Sequence, residues 1–145
     1  MRRVHAAQWV VVFAVVLLGI GSHAWAQAAQ PQRVDVPQAA TLEGVPTVRV
    51  DTTPSGASRR MLDAMEREKS RLTVQKVNGA YVWTSRENKM LTLFNEGPFT
   101  YLSAAPGQYI RFTQVNDRIT YVEHIDSPIG SVTWFGELRV VLGKR

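Results

Sequence analysis

The sequence predicts a mainly β protein. It reads as a small antiparallel meander of about seven strands, folded into a sandwich or a partly closed barrel, with one short helix docked ahead of the strands. Three observations carry this. From Arg71 onward apolar and polar residues alternate with period two. The pieces between these runs are short and rich in Gly, Pro, Asn and Asp, the residues that turn a chain at low cost. Helical spacing is confined to one stretch of the chain beyond its first 26 residues.

The elements follow in order. Met1, Arg2 and Arg3 give a basic start, Trp9 to Ile20 form an uncharged apolar run, and Ala24-Trp25-Ala26 places small residues at both peptidase positions. This is the layout of a secretory signal peptide over 1–26, cleaved after Ala26, with Ala28 as a second frame. An apolar run of 12 residues is shorter than the roughly 18 to 20 that a membrane-spanning helix needs. Cleavage would remove 26 residues and two of the 17 basic side chains. It would leave 119 residues with 15 basic against 12 acidic groups, an excess of +3. That length suits one domain. So mild a charge does not describe a nucleic-acid surface, and the location expected is periplasmic or secreted. Cysteine is absent, so neither a disulfide nor a lipidated cysteine can anchor the mature chain.

Residues 27–56 contain four of the seven prolines and no aromatic residue, which predicts a flexible Pro-rich linker. One extended piece, Thr47 to Asp51, could join a sheet edge. A single β-rich domain is expected over 57–145. Its helix is expected over Ser58 to Ser70, with Met61, Leu62 and Met65 as an apolar stripe, Asp63 and Arg67 as an i, i+4 pair and Ser58 as the cap. Arg71–Val77 and Ala80–Thr84 then flank Asn78-Gly79, a strong hairpin signal. Met90–Phe94, Phe99–Ser103, Gln108–Val115, Arg118–Ile125 and Ser131–Leu142 complete the set, and Gly136 predicts a bulge or bend in the last strand. An outer-membrane barrel is disfavoured, because several strands are about five residues long, the expected count is odd and the chain ends in Gly143-Lys144-Arg145.

The chemical inventory is narrow. His5 and His23 fall in the leader, leaving His124. No cysteine nucleophile and no multi-histidine zinc site can therefore be built, and no metal or cofactor is expected. A Ser-His-Asp set would centre on His124, with Asp126 or Asp117 and Ser127, Ser103 or Ser131, but no G-x-S-x-G turn presents such a serine. Alternation puts Glu123 and His124 on opposite faces of one strand, so they cannot easily share a site. The acids show no spacing that favours a paired-carboxylate mechanism.

The stretch most like a site is YVWTSRENKMLTLF, Tyr81 to Phe94. Its plain interpretation is a polar hairpin loop. Its functional interpretation is a ligand-binding set: Tyr81 and Trp83, with Tyr101 or Tyr109, as an aromatic platform beside Arg86, Glu87 and Asn88. Burial of Trp83 would remove that platform. The expectation is a non-catalytic, exported binding or interaction module of the bacterial cell envelope, with a protein or a glycan as partner. The alternatives are a small-ligand carrier with a barrel cavity and a hydrolase dependent on carboxylates or His124.

Overall fold

A computed structural model describes residues 29–36 and 40–142, so the leader, residues 27–28 and 37–39, and the last three residues lie outside the described part. The described chain is mainly β, as the periodicity predicts. In order come β1 (Ala40–Thr53), β2 (Gly56–Met61), α1 (Ala64–Lys69), β3 (Leu72–Val77), β4 (Ala80–Trp83) and β5 (Lys89–Glu96). Then follow β6 (Phe99–Ala105), β7 (Gln108–Val115), β8 (Arg118–Ser127) and β9 (Gly130–Leu142). All neighbouring strands are antiparallel, in the order β2-β1-β3-β4-β5-β6-β7-β8-β9, and β1 also pairs with β9. Eight strands thus close into a barrel, and β2 is an extra strand outside the ring.

Closure rests on β1. One edge runs along β9 from Ala40↔Leu142 to Thr52↔Ser131. The other edge is shared in tandem: Thr41–Gly44 pair with β3 and Val48–Thr53 with β2. This corrects the expected linker over 27–56, since residues 40–53 of that span are an integral strand. Prolines misled the composition argument: Pro46 sits at the bulge where β1 slips against β9, and Pro54 sits in the β1–β2 turn. The irregularity expected at Gly136 lies in its partner strand, between Pro46 and Val48.

The helix is also shorter than its sequence pattern suggests. Ser58 to Met61 belong to β2, and α1 starts only after Asp63, which accepts from the Glu66 N–H while Glu66 reaches back to the Asp63 N–H. This Asp-x-x-Glu capping box, and not Ser58, sets the start. Met61 and Met65 are exposed; Leu62, just ahead of the helix, is the buried anchor, and its N–H donates to Thr47 O at 2.9 Å.

Leu42, Leu72, Val74, Trp83, Leu91, Leu102, Ile110, Phe112, Tyr121 and Leu138 fill the interior. The lower end is closed by residues 32–34. Gln32 pairs with Gln114 past the end of β6, Val34 joins the core, and Thr100 donates its hydroxyl to Val34 O. An even count of eight barrel strands would suit an outer-membrane barrel, but here the interior is packed mainly with apolar side chains, and the outer wall carries the ion pairs Arg118–Glu137 and Arg139–Glu43 beside its apolar residues. No helix among the described residues is long and apolar enough to cross a membrane.

Tyr121 lies across the interior because Gly44 leaves room: a Cβ on Gly44 would come within 2.8 Å of the Tyr121 ring. Gly136, the cross-strand partner of Tyr121, instead lets the β1 backbone at Val45 and Pro46 approach closely. Gly44→Ala is expected to cost about 1–3 kcal/mol in urea unfolding, and the loss should shrink in a Tyr121→Leu background. Equal losses in both backgrounds would contradict this packing.

Candidate functional site

Two regions gather polar or exposed aromatic side chains: the upper mouth of the barrel and one side of its outer wall. The mouth is built by the β4–β5 connection, residues 84–88. Ser85 fastens it to β3, its hydroxyl accepting from the Thr73 N–H at 2.9 Å while its own N–H donates to Thr73 O. Glu87 and Asn88 have φ of 58° and 55° and complete the turn; both are exposed. Arg86 turns inward. Its Nε lies 2.8 Å from Oε1 of Glu123, and its guanidinium carbon lies 5.1 Å from the centre of the Trp134 ring. Arg49 lies 5.6 Å from the same centre, held by both carboxylate oxygens of Asp51.

Glu123 is 0% exposed and its Oε2 has no hydrogen-bond partner among the described residues. Burial pushes its pKa up to about 7, against the opposing pull of Arg86. Burial, with a smaller push from the Glu123 charge, also raises the Tyr121 hydroxyl. Trp83 Nε1, Trp134 Nε1 and the Tyr121 hydroxyl are likewise buried without partners among the described residues. Chemically the mouth is a sealed lock. Its buried carboxylate, Glu123, is inaccessible to a substrate and is neutralised by Arg86 or by a proton.

The expected ligand set divides accordingly. Tyr81 and Trp83 do share a face, but it is the inner one. Trp83 is fully buried and Tyr81 packs against the core with Lys76 4.9 Å above its ring. The surface platform expected from this pair is therefore absent, because the strand register points both rings inward. Arg86 belongs to the lock, and Glu87 and Asn88 serve the turn. Tyr101 and Tyr109, named beside them, do lie on the outer wall.

There they belong to an aromatic series across four strands. Phe94 stacks on Tyr101 at 4.8 Å, Tyr101 meets Tyr109 at 6.0 Å, and Tyr109 stacks on His124 at 5.2 Å. The His124 ring bridges Thr133 Oγ1 at 2.8 Å and Asp126 Oδ1 at 2.9 Å. Hydroxyl, imidazole and carboxylate stand in a line, as in a nucleophilic triad. Thr133, however, sits in mid-strand between β8 and β1, where ladder pairing occupies the backbone that would have to supply an oxyanion hole. Glu123 and His124 point to opposite sides of the wall.

A second outer row was not foreseen. Register pairs Phe94 with Tyr101, Tyr101 with Arg111, Arg111 with Val122, Val122 with Phe135, Phe135 with Val48 and Val48 with Met61. Directly paired residues share a face, so this is one band across seven strands, interrupted only by Arg111. The two-residue turn Asn116-Asp117 fixes the Arg111↔Val122 register and was the one signal in the sequence that could have begun this alignment. Comparison with protein-family models, curated proteins and solved structures returns no match.

The lock gives a pH dependence with a definite sign. Glu123 titrates near 7 in the folded state against an ordinary value of 4.5. The native state therefore holds more protons between these values, and stability falls as pH rises from about 4.5 to about 7 and then levels. Glu123→Gln should flatten this slope in urea unfolding across that window. Arg86→Ala should cost about 3 kcal/mol above pH 7 and less on the acid side, because it leaves a buried carboxylate unpaired.

Proposed function

We propose that this chain is an exported, non-catalytic binding module of the bacterial cell envelope that engages its partner through the outer wall of the barrel. The observation that carries the proposal is the seven-strand band from Phe94 to Met61, in which Phe135 is 39% and Met61 63% exposed. Soluble domains seldom leave a contiguous apolar band uncovered unless something binds it. The interior supports this choice over a carrier, since Trp83, Tyr121 and Phe112 occupy it. The sealed environment of Glu123 supports binding over carboxylate catalysis. Export is supported by the leader pattern in residues 1–26, and β2, fully exposed and outside the ring, widens the band at its far end.

A photoreactive phenylalanine analogue placed at Phe135, and at the exposed Gln75 on β3 outside the band as a control, tests this in the producing cell. Adducts in the envelope fraction are expected from position 135 and not from position 75. Absence of adducts at 135, or equal labelling at both, would contradict the proposal.

A further inference from the structure

The same wall indicates the chemistry of what it binds; this rests on the outer-wall proposal and goes beyond it. A groove of about 370 Å³ opens at the Arg111–Val122–Phe135 part of the band, with Phe99, Val122 and Phe135 in its apolar lining and Thr113 and Thr120 beside them. Arg111 stands at one end. Its guanidinium carbon lies 4.8 Å from the centre of the Phe99 ring, and it has no carboxylate partner among the described residues. Glu137 also borders the groove, but its carboxylate is engaged by Arg118 at 3.1 Å. The groove therefore presents an uncompensated cation at the head of an apolar lane.

That lane leads away from Arg111 through Val122, Phe135 and Val48 to Met61. From β7 to β2 it crosses four strand spacings of about 4.8 Å, roughly 19 Å along the wall. This is the reach of a long alkyl chain. A guanidinium fixed by an aromatic ring presents paired N–H donors that match a carboxylate or phosphate. The geometry points to a binding site for a single-chain anionic amphiphile, its carboxylate or phosphate head on Arg111 and its alkyl tail laid over Val122, Phe135, Val48 and Met61. A lone cation in an apolar setting selects against a cationic head and gives the tail a direction.

The test uses the mature protein with dodecanoate, dodecyl phosphate and dodecyltrimethylammonium, each below its micellar concentration, in isothermal titration calorimetry. Saturable one-to-one binding is expected for the two anions, with at least a tenfold preference over the cation. Binding by only one anion would assign the head group. Arg111→Gln should weaken anion binding about tenfold, and Phe135→Ser should weaken all tail contacts; Arg139→Gln, whose side chain pairs with Glu43 outside the groove, should change nothing. Raising the salt concentration should weaken binding of the anions to the unmodified protein, which keeps the test valid if a variant fails to fold. Equal binding of anion and cation, or no binding of any probe, would overturn the site. Envelope adducts from position 135 without amphiphile binding would instead retain the outer-wall proposal and identify a macromolecular partner.

Discussion

The structure depends on one strand being paired along both edges. A meander of β3 to β9 alone would leave two open edges and an uncovered apolar face. By running against β9 on one side and β3 on the other, β1 turns that ribbon into a ring. With no cysteine in the chain, no disulfide can assist. The same strand outruns the ring, and its last six residues hold β2, whose outer edge lies outside the ring. Closure also decides what must be small. Tyr121 fits only because Gly44 presents no side chain to it, and Gly136 presents none to the β1 backbone that passes it at close range beside the bulge at Pro46/Val48.

Register then distributes the chemistry. The alternation that turns Tyr121 inward also turns Glu123 inward, where Trp134 is its direct cross-strand partner. A carboxylate there is tolerable only with a proton or a cation, and the connection after β4 supplies Arg86. The charged cluster that looks like a site in sequence is therefore a device that closes the upper mouth, as Val34 closes the lower end. Such a pair adds little net stability over an apolar filling, yet removing one partner is costly. It commits the barrel to a packed interior, which leaves recognition to the wall.

Much of this was legible beforehand. Period-two alternation from Arg71 onward marked seven strands correctly, and Asn78-Gly79 placed a turn where the structure has one. Of β1 only Thr47 to Asp51 is legible as an extended piece; its first half is not, because the inward residues are Ala40, Leu42, Gly44 and Pro46, a weak apolar series in a proline-rich setting. Only non-local pairing makes it a strand. β2 was taken for helix because Met61, Leu62 and Met65 fit a helical stripe, although Asp63 and Glu66 already encoded the later start. Tyr81 and Trp83 were rightly placed on one face; which face is inner follows from ring closure, and that is invisible to a single strand. The Phe94-to-Met61 band joins residues from seven strands, so no local pattern could reveal it.

The account stands or falls on β1 as the closing strand, and amide hydrogen exchange measures this directly. The amides of Leu42, Glu43 and Gly44 that pair across the ring should exchange only through global unfolding, as slowly as those of Ile110 and Phe112 in mid-sheet. Exchange of these β1 amides at the rate of an unstructured spacer, while β5 to β8 stay protected, would show that the ring is open and would contradict the account.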